Sequence, residues 1–327
     1  GGSQVYFGFQ SALQIARTTG SDDRVAVRGG MNGLPDKAPS EEELAEIVER
    51  LRSAYPQVRI DSPAHVLVST GSYRRFSESC KEHVCSAPLA GRPFYRLSRN
   101  AYAAVPALAL VQVASRERSE MSVRELAYEL CGTYQTKRTG VDSAYQTPPL
   151  ASVRELRDFA SRNSSVDGAR KVIRMLRYAA DDSASPRETK QALVLGLPLM
   201  YGGYGLGIPR MNYEVKASPA AQAITGKSCF RCDLCWPEAK LDVEYQSRES
   251  HEGEASRISD SRRANALAAM GWTVIGVTND ELQPSCDRHD SEYDSPILGK
   301  RAQVRVADHH ARKLKLRRQL GLPARYE

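Results

Sequence analysis

The stretch Cys229 to Gln246 places acidic residues at a spacing that can bind a cation. It holds two alternating runs, CFRCDLCW and KLDVEYQS, separated by Pro237-Glu238-Ala239. Side chains of an extended chain alternate between faces. Cys229, Arg231, Asp233 and Cys235 therefore share one face of the first run. Asp242, Glu244 and Gln246 share one face of the second. The short link at Pro237-Glu238 predicts an antiparallel hairpin, and a tight one pairs Asp233 with Asp242. Glu244 is then the diagonal neighbour of Asp233, with Cβ atoms roughly 7–8 Å apart. Two carboxylates reaching inward from that distance can hold one hard divalent ion between them. On the same alternation Cys232 points away from Cys229 and Cys235, so these thiols do not converge on a zinc ion and are expected to be buried.

The elements that must position this hairpin are legible on either side of it. The run SPRET carries three helix-start signals: Ser185 as N-cap, Pro186 at the first helical position and Glu188 at N3. That helix ends near Gly196 and Pro198. After the hairpin, Ser259 to Met270 predicts a helix with Gly271 as its C-cap, and Trp272 to Thr278 predicts a third β run. The order helix, strand, strand, helix, strand implies an α/β fold: a mixed central sheet flanked by helices. Two blander readings stand beside the cation site. Glu188 can serve as a helix cap alone, and Asp233 and Glu244 can be solvated residues on an open sheet face.

Upstream the pattern is α+β. Ser40 and Glu43 form a capping box ahead of the stripe Leu44, Ile47, Val48 and Leu51. His65–Ser69 and Phe94–Leu97 read as strands, and Ala103–Val113 as a buried helix or strand. Val123–Gly132 reads as a helix opened by Ser122 and Glu125. Thr133 to Pro149 is polar and marks a boundary; helices follow at Val153–Arg162 and Gly168–Ala180. The expected division is a regulatory or recognition region at 4–140, a core at 150–290 and a basic helix at 299–327.

Bulk properties narrow the class. Of the 327 residues 41% are hydrophobic, enough to bury a core. The net charge is +7 with pI near 9.0, and basic residues cluster at the end, in Arg312, Lys313, Lys315, Arg317 and Arg318. That balance suits a polyanionic partner, although the same residues can form a solvated helix face. No apolar run approaches the roughly 20 residues of a membrane span. No signal peptide is read, and the opening Gly1-Gly2-Ser3 is set aside as a cloning remnant. Seven cysteines, an odd number, read as reduced thiols of a cytoplasmic protein.

The string DLCWPEAKLDVEYQ, followed by His251, Asp260, Arg263, Leu267 to Trp272 and then VIGVTNDEL, resembles the Vsr-related branch of the PD-(D/E)XK nuclease superfamily. The resemblance runs from about Ser185 to Leu282. It implies an αββαβ nuclease core with Asp233 and Glu244 as metal ligands and Glu188 as the helix carboxylate beside them. Mg²⁺ or Mn²⁺ would be the metal, DNA the partner and phosphodiester hydrolysis the reaction, in phage defence or DNA repair. Gln246 stands where the superfamily more often has lysine, so activity would rest on a neutral hydrogen-bond donor. His251 is either an active-site helper or a surface loop residue. Arg262 and Arg263 on the arginine-rich helix, with the basic cluster at the end of the chain, would meet the nucleic acid. The departure at Gln246 sustains an alternative: a catalytically inactive nuclease-fold DNA-binding regulator or antitoxin. The region Val66 to Gly132, through His65–Ser69, HVCSAPLAGRPFYRL and SVRELAYEL, resembles the regulator domain of AbiE-type antitoxins. That implies a toxin–antitoxin or defence-system partner. A module that docks a protein partner is the third option, and the oligomeric state is left open.

Overall fold

The computed structural model describes residues 2–20, 25–27, 33–74, 77–245 and 253–277. The chain divides into two units, Gly1–Ala179 and Ala180–Glu327.

The first unit runs β1 (Val5–Phe7), α1 (Phe9–Thr18), β2 (Val25–Val27), α2 (Glu41–Ala54), β3 (Ala64–Val68), β4 (Cys80–Val84), β5 (Phe94–Arg96), β6 (Ala101–Ala104), α3 (Pro106–Arg116), α4 (Glu120–Leu130), β7 (Tyr134–Gln135), β8 (Ala144–Tyr145), α5 (Val153–Arg162) and α6 (Ala169–Leu176). Among the described residues six strands form one sheet, in the order β2-β5-β6-β1-β3-β4. Its centre is apolar because β1 contributes Val5, Tyr6 and Phe7, all buried, and β3 contributes Val66, Leu67 and Val68. Helix α2 opens with the full capping box: Ser40 Oγ accepts from the Glu43 N–H at 3.2 Å, and Glu43 Oε2 accepts from the Ser40 N–H at 3.1 Å. The expected start of α4 at Ser122 is corrected. Ser119 is the cap, and its Oγ accepts from the Ser122 N–H at 3.2 Å. The stretch Ala103–Val113, left open between helix and strand, divides into the end of β6 and most of α3, with Pro106 at the first turn.

The division falls later than the polar stretch 133–149 suggests. Helices α5 and α6 pack on α3, and α6 also on α4, so both belong to the first unit. The polar stretch is itself tied in: Glu129 accepts from Thr136 N–H at 3.1 Å and from Thr139 Oγ1 at 2.7 Å.

The second unit runs α7 (Pro186–Gly196), β9 (Arg210–Lys216), α8 (Pro219–Thr225), β10 (Cys229–Trp236), β11 (Leu241–Tyr245), α9 (Glu254–Ala269) and β12 (Thr273–Val277). It is a mixed α/β architecture, a sheet in the order β12-β11-β10-β9 flanked by helices. Strands β9, β10 and β11 form an antiparallel meander, while β12 lies parallel to β11. A parallel neighbour cannot be reached by a hairpin, so α9 serves as the crossover. Helix α9 starts at Glu254, five positions before the expected Ser259. Strand β9 and helix α8 extend the expected helix–strand–strand–helix–strand order. The signal for β9 was present in the alternation of Met211, Tyr213 and Val215. One face of the sheet packs on α8 and α9 through Val215, Ala221, Phe230, Cys232, Cys235, Ala266, Leu267 and Trp272.

Candidate functional site

The hairpin is present, with a longer link than the one expected. A 3₁₀ turn at Pro237–Ala239 is followed by Lys240 at φ 47°, and the first paired residues are Trp236 and Leu241. Cys235 therefore pairs with Asp242, and Leu234 with Val243. Continuing this register sets Asp233 directly across from Glu244 rather than from Asp242. The shift is by two residues, so the shared face is preserved and the two carboxylates become direct cross-strand neighbours.

On its other side Asp233 faces Asn212, and here the ladder is interrupted. The β9–β10 register runs from Cys229↔Lys216 to Cys232↔Tyr213 and resumes at Leu234↔Met211. Asn212 holds φ 50°, a left-handed conformation that asparagine tolerates better than most residues. Its side chain links three groups. Nδ2 donates to the Asp182 carbonyl at 2.7 Å and lies 3.5 Å from Glu188 Oε1, and Oδ1 accepts from Arg231 Nε and Nη2 at 3.1 and 2.9 Å. Across this irregularity Cys232 and Cys235, three residues apart, join one buried cluster. Strict alternation would have put them on opposite faces. Burial, reinforced by Asp242, pushes both thiols up, Cys235 to about 12.

Glu188 sits at the start of α7 as the sequence predicts. Ser185 Oγ accepts from its N–H at 3.2 Å. Its own Oε2 turns back to the Ala184 N–H at 2.7 Å, one residue before the N-cap. Burial raises its pKa and the Asp233 charge adds to the rise, while the Ala184 N–H and Asn212 oppose it. Asp233 is likewise raised, by burial first and by Glu244 second, against the pull of Arg263 and Arg231. Next to Glu188, the Arg187 guanidinium lies 4.4 Å from the centroid of Tyr245, the residue after Glu244.

Arg263 organises the other side. Its Nη2 lies 2.5 Å from Glu244 Oε1 and 3.5 Å from Asp242 Oδ2, and donates to the Arg231 carbonyl at 2.7 Å. Burial works against the guanidinium charge, but Glu244 and Asp242 outweigh it and its pKa rises. Asp242 is fully buried, and its Oδ1 has no hydrogen-bond partner among the described residues. Burial, followed by the neighbouring Glu244, pushes Asp242 up to about 8.

Of the residues singled out in the sequence, Glu188, Asp233, Glu244 and Arg263 come together in this unit. Arg263 turns into the carboxylates rather than outward; Arg262, beside it on α9, is exposed. Gln246, His251, Arg312, Lys313, Lys315, Arg317 and Arg318 lie outside the described residues. Asn212, Arg231 and the burial of Asp242 were not anticipated.

Oxygen donors of this type suit a hard divalent ion such as Mg²⁺ or Mn²⁺. The unpartnered Asp242 Oδ1 is a buried oxygen that a cation or a proton would satisfy. Among the described residues, however, no group of three or more His, Cys, Asp or Glu is arranged to hold a metal. The donor chemistry fits, and Arg263 holds one of the two oxygens of Glu244.

No family model matches the chain, and no solved structure is significantly similar to it. Two uncharacterized proteins of Mycobacterium tuberculosis, MT2308 of strain CDC 1551 / Oshkosh and Rv2248 of strain H37Rv, are each 28% identical over 109 residues. The match covers 33% of this chain and 35% of each relative, so the chain spans about a third of the length of the curated relatives it matches. Among the described residues no helix is long and apolar enough to cross a membrane.

Proposed function

We propose that the second unit is the core of a metal-dependent DNA endonuclease of the PD-(D/E)XK type, with a cytoplasmic role in phage defence or DNA repair. What supports the reading is the β10–β11 register, which if continued one residue past Leu234 and Val243 sets Asp233 across from Glu244, together with the charge of Glu244 acting on Asp233 and that of Asp233 acting on Glu188 at the start of α7. Asp233, Glu244 and Glu188, which are not arranged as a ready metal-holding group among the described residues, would hold Mg²⁺ or Mn²⁺ once Arg263 has moved off Glu244. The metal, when bound, would polarise the phosphodiester and lower the pKa of a coordinated water. The chain's own residues would hold the substrate and the carboxylates in place. Asn212 ties Arg231 to the Glu188 side of the site, and the exposed Arg262, with the basic residues at the chain's end, would meet phosphates. A toxin–antitoxin or defence-system partner is proposed for the first unit on the sequence resemblance alone.

The test compares purified wild type with Glu244→Ala and Asp233→Asn, assayed for nicking of plasmid and oligonucleotides with Mg²⁺ or Mn²⁺. Metal-dependent cleavage lost in both variants is expected. Absence of metal-dependent cleavage on every DNA and RNA form would sink the reading.

One observation favours a second reading, a nuclease-fold DNA-binding regulator or antitoxin that does not cut. Glu244 is already neutralised by Arg263 at 2.5 Å. DNA binding with a steep salt dependence, indifferent to metal and without product, would select it.

A further inference from the structure

Arg263 stands where a bound cation would otherwise compensate the cluster. It contacts Glu244 at 2.5 Å and Asp242 at 3.5 Å, and the β10–β11 register, continued one residue past Leu234 and Val243, sets Asp233 across from Glu244. Asp242 Oδ1, fully buried, still has no hydrogen-bond partner among the described residues, so the guanidinium leaves a buried oxygen of the cluster unsatisfied. Two features make this a displaceable pairing. The Arg263 side chain is 21% exposed, so it has a route to solvent. A guanidinium also matches a phosphate as well as a carboxylate, so it has another partner to take.

We infer that Arg263 is a tethered competitor for the divalent cation: metal binding at Glu244 and Asp233 requires the guanidinium to leave Glu244, and this displacement sets the metal affinity of the unit. The inference rests on the metal-dependent reading above. A dication on Glu244 with Arg263 still in place would face a full positive charge across one carboxylate. The free energy of breaking the ion pair is therefore subtracted from the affinity. An incoming phosphodiester relieves the cost by giving Arg263 a new anion, which would restrict tight metal binding to the substrate-bound protein.

Calorimetric titration of MnCl₂ into the full chain tests this. Arg263→Gln is expected to bind Mn²⁺ about tenfold or more tightly than wild type, and adding Asp233→Asn is expected to remove the gain. Arg263→Lys keeps the charge with a poorer grip and should fall between them. If both Arg263 variants fail to fold, the unmodified protein still decides the matter. The Arg263 Nε–H resonance, assigned in ¹⁵N-labelled wild type, should shift or exchange faster on adding Mg²⁺, and an unmoved resonance at saturating Mg²⁺ overturns the inference. Equal Mn²⁺ affinity in wild type and Arg263→Gln, still sensitive to Asp233→Asn, overturns the inference and leaves the metal-dependent reading standing. No Mn²⁺ binding in any variant overturns both.

Discussion

His65 Nδ1 and His83 Nε2 lie 2.9 Å apart, with ring planes 12° from parallel. One nitrogen donates and the other accepts, and the Phe9 ring stacks on His83 at 3.7 Å between centroids. Burial lowers the His83 pKa to about 3, and His65, Lys81, Arg116 and Arg74 act in the same direction. An unfolded histidine takes up its proton near 6.5, so the unfolded chain binds more protons than the folded one between that pH and about 3. The stability contributed by a neutral His83 is complete above pH 6.5 and is lost as the pH falls toward 3. Urea unfolding across that range should show stability falling by up to about 1.4 kcal/mol per pH unit from this one group. His83→Gln should flatten the slope; an unchanged slope removes His83 as its source.

The Arg17–Glu129 pair is buried on both sides, each side chain 2% exposed, at 3.7 Å. Arg17 also donates to Thr139 Oγ1 and to the Tyr134 carbonyl, joining α1 to the β7 segment. Arg17→Met leaves Glu129 as an uncompensated buried charge, and should cost about 3–5 kcal/mol in denaturant unfolding. The double variant Arg17→Met, Glu129→Gln should cost less than the sum of the two single changes. Strict additivity would show that the two residues do not act as a pair.

Asn212 combines a left-handed backbone with three hydrogen-bonding partners, which separates two contributions. Asn212→Gly keeps the conformation and loses the bonds to Arg231 and Asp182, at a cost of about 1–2 kcal/mol. Asn212→Ala loses the same bonds and adds about 1–2 kcal/mol for left-handed strain. Melting of the purified variants should rank wild type above Gly and Gly above Ala; Ala at or above Gly would remove the strain argument.

The parts of the fold that local chemistry decides were legible in the sequence. Ser40 with Glu43 and Ser185 with Glu188 cap helices as their types and spacing require. The mixed sheet flanked by helices was readable from the alternating runs and the helix between them. The hairpin register was readable only up to its turn, because the left-handed Lys240 lengthens the link, and that conformation is not encoded by residue type. Parity survived the two-residue shift, so the face shared by Asp242 and Glu244 was correct although the pairing was not. The partner of Glu244 was not legible at all. Arg263 reads as a surface residue of a basic helix, and only the crossover from β11 to β12 folds it back onto the carboxylates.

That crossover helix is thinly anchored. Of the sixteen residues of α9 only Ala266 and Leu267 are buried. Segments with few buried apolar contacts open at lower free energy than the sheet beneath them. Amide hydrogen exchange of α9 should then be faster than that of β10 and β11, with the helix fraying from its Glu254 end. Arg263 lies one turn before Ala266, so an opening that stops at the anchor frees the guanidinium while the sheet keeps Asp233 and Glu244 in place. The helix would work as a hinged arm whose resting position is held by its own ion pair.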